Sequence, residues 1–401
     1  SVAYKKDEKI KPHPSAQCGK CEFKSISGDG LKSGFKECWA EAYKFTEADF
    51  EKGTVLDIYK HGGKDKLIAK GCIRLSSVQP DDIEEKDEGE HLSLSERQWM
   101  QIRGIPPNED RGNYWLASGL MAREMASWSY PYHFIDFETS TVAMPFHEGM
   151  RPYESVAFQF SHHTLEKDGT LRHAGQFLLA KAGVFPNYEF ARALKDALST
   201  DDGSVFMWAN HENTILNHIG TQLQTRSDAP ADKEELSAFL KTLTKGGDRA
   251  MIDLKILAQK SYFHPAYKGS NSIKKVLPAV LNSSTYLKDL YSQPIYGAAN
   301  GIKSLNFKNF TWWSQDEAGQ VIDPYKKLSG PTDSETVETD EDSLEIAEGG
   351  AASMAYGRLQ YESLSPETRA DIEAKLYKYC ELDTLAMAMI VQAWFAQIFK
   401  E

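Results

Sequence analysis

The 401-residue sequence predicts an α/β protein, a mixed sheet flanked by helices and preceded by a smaller, N-terminal cysteine-bearing α+β segment. Three observations carry this reading. From Tyr132 onward three β-like runs follow one another closely, and helical and extended segments then alternate. The chain closes on a well-marked helix, and three of its five cysteines, Cys18, Cys21 and Cys38, crowd near the N-terminus. An apolar share of 41% is enough for packed cores, and the length suits two domains.

Taken in order, residues 10–78 join the cysteine segment to strand-like pieces at Thr54–Tyr59 and Leu67–Leu75, and the acidic run 81–90 reads as a solvated linker. Residues 91–104 have helical character, and a further helix is predicted over Tyr114–Ser127. The runs 132–138, 155–165 and 171–180 are rich in strand formers, and the last follows the turn signal Lys167-Asp168-Gly169. A helix at about 187–199, a short strand at 204–208 and a helix from His211 come next. Ser365 is a good N-cap with Pro366 at the first helical position and acids close behind it. The most apolar stretch, Ala386–Phe399, is interrupted by Gln392 and Gln397 and reads as a buried helix rather than a membrane span. The start, SVAYKKDEKI, has neither Met nor an apolar signal core, which points to a processed or truncated chain. An odd cysteine count, clustered like a metal site rather than a secreted disulfide scaffold, makes a cytoplasmic location the default.

A net charge of −12 argues at first against a polyanionic partner. Its distribution removes the objection. Residues 81–90 hold seven acids and one Lys, and residues 332–348 hold eight acids and no base. Without these two runs the remainder is near neutral, so nucleic acid stays open as a partner. The sequence leaves the oligomeric state open.

The chemistry begins at Asp136 and Glu138. Two acids at i and i+2 on a strand point to one face, and the apolar neighbours Phe134, Ile135 and Phe137 imply a central strand. Carboxylates about 4 Å apart repel by roughly 4 kcal/mol at an effective dielectric near 20, and hard divalent cations are the usual remedy. Alone, such a pair equally suits a strand end with two solvated acids. Tyr379 and Asp383 lie at i and i+4 on the final helix and share a face, as they would in any amphipathic helix. Glu212 opens a helix after a short strand, where the helix dipole alone favours an acid.

Jointly these three signals resemble the DEDD exonucleases, the DnaQ-like group of ribonuclease-H-like fold, in the variant with tyrosine in the last motif. The segments HFIDFET, MPFHEGMRPYESVAFQFSHH, YFHPAYKGSNSIKKVLPAV, IAEGGAASMAYGRLQ and LYKYCELDTLAMAMI resemble successive motifs of a prokaryotic family of uncharacterised proteins. That family pairs a DEDD-type domain with an upstream RecB-like nuclease region. The resemblance implies a DEDD-type domain over 126–401, with an acidic insertion around 332–348. Residues 1–125 would then be the end of a RecB-like cysteine region plus a linker.

It further implies a 3′→5′ exonuclease acting on DNA or RNA, most simply at a single-stranded 3′ end, with two Mg²⁺ or Mn²⁺ ions. One ion would be held by Asp136, Glu138 and Asp383, and the second shared through Asp136 with Glu212 in the set. Tyr379 would position the attacking water, since a phenol with an ordinary pKa near 10 is a poor base at neutral pH. One departure matters: the second motif generally carries Asp, and this chain has Glu212. Asp253 competes for that place but better suits a strand–helix junction.

Lys274 and Lys275 would reach substrate phosphates, or else sit in solvent on a helix capped by Ser270 or Ser272. Trp312 and Trp313 suit core packing better than base stacking. Cys18, Cys21 and Cys38 read as three ligands of a 4Fe–4S cluster or, with Cys72 or His13, of a Zn²⁺ site; free thiols are the alternative. Cys380 reads as a small helix-packing residue. Two rivals stand beside the exonuclease: a catalytically weak module that holds nucleic-acid ends, and a hydrolase of small phosphodiesters or nucleotides.

Overall fold

The computed structural model describes residues 6, 10–25, 31–317, 319–328 and 341–399, with 341–349 described as backbone only. The N-terminal segment is helical: α1 (Gly34–Tyr43), α2 (Glu47–Glu51) and α3 (Lys64–Ala69), joined by 3-10 turns around a core of Phe35, Trp39, Phe45, Ile58 and Trp99. The strands expected at Thr54–Tyr59 and Leu67–Leu75 do not form there; the pieces contribute a single bridge between Thr54 and Arg74. Local capping explains the difference. The Thr54 amide and hydroxyl both donate to the Asp57 carboxylate, at 2.6 and 3.0 Å, and close a 3-10 turn over Val55–Asp57. The Arg74 amide likewise donates to the Ser77 hydroxyl at 3.2 Å. Such side chains offer the backbone an alternative to a ladder.

The next helix, α4 (Leu94–Arg103), starts at a reciprocal Ser93/Glu96 capping box. Its buried Arg97 donates to the carbonyls of Ala258, Gln259 and Tyr262 at 3.0, 2.8 and 2.6 Å, which fastens the N-terminal segment to the rest. The helix expected from Tyr114 begins later. Trp115–Leu116 form strand β1, and α5 (Ser118–Ala126) follows. The expected boundary at 125/126 falls inside α5, whose Met121 and Met125 are in the main core.

The sheet combines β2 (Tyr132–Ser140), β3 (Val156–Leu165), β4 (Leu171–Leu178), β5 (Val205–Met207) and β6 (Ile252–Asp253) in the order β4-β3-β2-β5-β6. The pairs β2–β3 and β3–β4 are antiparallel, whereas β2–β5 and β5–β6 are parallel. This is the expected mixed sheet. Between strands lie α6 (Asn187–Leu198), α7 (His211–Thr225) and α8 (Lys233–Leu243); after β6 come α9 (Leu254–Ser261) and β7 (Tyr262–Phe263), which pairs antiparallel with β1. Alternation along β2 divides the two faces. Ile135 and Phe137 pack with Phe190, Leu194, Leu216 and Leu240 of α6, α7 and α8. Phe134 joins the opposite core.

That opposite core is built around α13 (Pro366–Phe399), which follows α10 (Ile273–Ser283), α11 (Thr285–Tyr291) and α12 (Glu341–Tyr361). The Ser365 hydroxyl caps α13 by accepting from the Thr368 amide at 3.1 Å. By length and composition α13 is able to cross a membrane, but 83% of its apolar window is buried within the protein, so it serves as a core helix. Residues 332–340 of the expected acidic insertion lie outside the described residues; 341–348 are helical backbone at the start of α12. The far end of α12 packs Tyr356 on Phe158 with ring centroids 4.3 Å apart. Trp312 is wholly buried among Tyr296, Phe307 and Phe310, and the Trp313 indole donates to the Leu281 carbonyl at 3.0 Å.

Candidate metal centre

Period-two alternation puts Asp136 and Glu138 on the face of β2 that meets α13. The register of the β2–β3 pair shifts directly after Glu138, so the strand changes its alignment at the site. Cys380 of α13 comes up against this pair, its sulfur 3.6 Å from the Asp136 carbonyl oxygen and 3.8 Å from Asp136 Oδ2. Asp136 Oδ, a Glu138 carboxylate oxygen and Cys380 Sγ all lie within 4.8 Å of one another. Among the described residues this is the group of three ligating side chains that converges so closely.

Glu212 stands in the first turn of α7 and is buried, as is Asp383 on α13. The α7 N-terminus is tied to β2 by a 3.1 Å contact between His211 Nε2 and Thr139 Oγ1. Ala209, in the turn from β5, has a left-handed φ of 81°, and Asp253 steadies it by accepting from its amide at 3.2 Å. The same carboxylate accepts from the Ile256 amide at 3.1 Å and caps α9, so Asp253 orients the junction that presents Glu212. Asp136 is only partly covered as a residue, yet its carboxyl is enclosed. Burial pushes that carboxyl well above its ordinary value, and the neighbouring Asp383, Glu212 and Glu138 push it further. The four acids expected from sequence therefore act on one spot, although about 250 residues separate the first from the last.

Tyr379 lies one turn before Asp383 on α13. The Lys274 ammonium sits 4.9 Å from its ring centre and 5.5 Å from that of Tyr325. Lys274 and Lys275, in the first turn of α10, also line a cleft of about 250 Å³ with Asp323, Gln320 and Asn282. Tyr325 was not evident from sequence: its hydroxyl donates to Asp383 Oδ1 at 2.6 Å. It belongs to the short 3-10 turn Pro324–Lys327, where no periodicity links it to the acids.

Glu381 was also missed. Fully buried, it accepts from the hydroxyls of Tyr296 and Ser304 and from the Asn306 amide, and lies 3.2 Å from His173 Nδ1. Burial pushes its carboxyl up, but the bonds from His173, Ser304 and Tyr296 outweigh this and hold it below its ordinary value.

The N-terminal cysteines are placed differently. Cys18 and Cys21 pack at the edge of the small core, Cys38 is exposed on α1, and Cys72 is buried 3.3 Å from the Ser77 hydroxyl. Among the described residues they form no group of three close ligands.

A family model described as a domain of unknown function (DUF2779) matches residues 133–272. The matched stretch runs from the start of β2 to the residue before α10; it contains Asp136, Glu138 and Glu212 but neither Tyr379 nor Asp383. No curated protein and no solved structure matches the chain.

Proposed function

We propose that this chain is a divalent-cation-dependent exonuclease of ribonuclease-H-like fold, removing nucleotides from a 3′ end of DNA or RNA. The observation that carries the reading is the convergence of Asp136 and Glu138 on β2 with Glu212 of α7 and Asp383 of α13, from three distant stretches, around a carboxyl that burial first and these neighbours second push up. An antiparallel β2–β3–β4 meander continued by parallel β5 and β6 supports the fold assignment. Carboxylate oxygens suit hard divalent cations, so the donor set fits Mg²⁺ or Mn²⁺, with these four residues as the holders. Bound there, two such ions would neutralise phosphate charge and supply a nucleophile at neutral pH. Tyr379, one turn from Asp383, would orient a water toward the phosphorus. Lys274, over the rings of Tyr325 and Tyr379 and lining the cleft, would offset charge on the strand's phosphates.

The test is incubation with 3′- and 5′-labelled single-stranded DNA and RNA plus Mn²⁺, beside Asp136→Ala. Progressive shortening from the 3′ end that the variant loses supports the reading; full activity in the variant sinks it. Tight binding without shortening would assign an end-binding module instead, a reading favoured by Glu212 in place of Asp. Cleavage of dinucleotides alone would assign a hydrolase of small phosphodiesters.

A further inference from the structure

The donor atoms that lie closest together at the centre are two oxygens and a sulfur, from Asp136, Glu138 and Cys380. Asp383, the expected third holder of the first ion, accepts from Tyr325 at one oxygen and falls outside this closest grouping. Ligand bonds of roughly 2.0–2.3 Å place any two donors on one ion within about 4.6 Å of each other. The observed grouping within 4.8 Å is close to that limit. Cys380 lies on the buried face of α13 beside Asp136, with its sulfur directed at the oxygens of that residue. A residue needed only for close helix–strand packing requires no sulfur at this point.

We propose that Cys380 selects the metal: it makes one position of the centre a mixed carboxylate–thiolate site that prefers a thiophilic divalent ion of the Zn²⁺ or Co²⁺ kind over Mg²⁺. The inference rests on the carboxylate centre proposed above. Soft sulfur ligands favour such ions, whereas all-oxygen sets suit Mg²⁺ and Mn²⁺. On binding, a metal–sulfur bond replaces the S–H bond and the proton passes to solvent.

The experiment uses the full chain, as wild type, Cys380→Ser and Asp136→Asn. Titration with Co²⁺ is followed by sulfur-to-cobalt charge-transfer absorption, and Zn²⁺ and Mn²⁺ affinities are measured by calorimetry. Any contribution from Cys18, Cys21 or Cys38 is common to all three proteins and cancels. The expected result is one cobalt–sulfur signal lost in both variants. Cys380→Ser should weaken Zn²⁺ by at least ~10-fold, since losing even an outer supporting group costs roughly 10–100-fold, while Mn²⁺ changes no more than ~3-fold. Should Cys380→Ser fold poorly, zinc–sulfur scattering near 2.3 Å is compared in wild type and Asp136→Asn, and its loss in the latter gives the same support. A signal unchanged in Cys380→Ser, with Mn²⁺ binding that still requires Asp136, overturns the role of Cys380 and leaves the carboxylate centre standing. Mn²⁺ binding that ignores Asp136→Asn overturns both.

Discussion

The Asp136 carboxyl is buried beside three acids, so its ionisation opposes folding in the metal-free protein. A carboxyl whose folded pKa is raised contributes stability that is present below its unfolded value near 3.9 and lost as pH rises through the folded value. Metal-free Asp136→Asn should therefore be more stable than wild type at pH 7–8, by roughly 1–3 °C in melting temperature for a gain on the order of 1 kcal/mol. Mn²⁺ at about 100 times its Kd should reverse the ranking, because it stabilises wild type alone by about 2.7 kcal/mol; thermal melts with and without the ion check both halves. Tyr325 acts on Asp383 through one 2.6 Å bond. Tyr325→Phe should lower kcat about tenfold with KM nearly unchanged, as steady-state kinetics with Mn²⁺ would show. The acids themselves were legible: Asp136 and Glu138 through the two-residue period of a strand, Tyr379 and Asp383 through the spacing of a helical turn. Tyr325 was not, since its bond to Asp383 spans 58 residues and its own segment has no repeating pattern.

The paired strands β2 and β3 bury histidines in a neutral form. Burial pushes His162 down to about 3 and His163 well below its ordinary value, and His133, also lowered by burial, lies 2.9 Å from His162 Nε2. Below an unfolded value near 6.5 the unfolded chain binds protons that folded His162 refuse, so for that residue stability is lost as pH falls, by about 1.4 kcal/mol per unit. His162→Gln, which keeps a hydrogen-bonding group, should lose clearly less urea resistance than wild type between pH 7.5 and 4.5; equal losses would remove His162 as the cause. The strand β3 is buried along its whole length, so its histidines, polar residues within a strand-forming run, are core residues. Their partners explain why the sequence hides this: Thr384 and Tyr296, which bond His163 at 2.7 and 2.9 Å, come from elements far along the chain. At 54–59 the opposite error arises, where β-branched residues suggest a strand but the Thr54–Asp57 cap bends the backbone first. Helices with side-chain caps, such as those after Ser93 and Ser365, were legible because the capping side chains are local.

Across the whole molecule, the N-terminal segment and the sheet-bearing region share a core. Tyr114 stacks on Tyr262 at 5.5 Å, β1 completes a ladder with β7, and Arg97 occupies three carbonyls around the end of α9. A chain beginning at residue 127 should be insoluble, or soluble only as a loosely packed species that binds apolar dyes, as size-exclusion and dye fluorescence would reveal. Cooperative melting of that fragment at the wild-type temperature would show that the region folds alone. This sharing was invisible in sequence, where an acidic linker and a change of texture at Tyr132 suggested a clean division. The placement of Asp383 on the last described helix sets a timetable as well. Some 250 residues separate it from Asp136, on the order of 10–50 s of synthesis at ~5–20 residues per second. Throughout that interval β2 has left the ribosome with its acids but without the helix that completes them, so a nascent chain beside its own messenger RNA carries an unfinished centre.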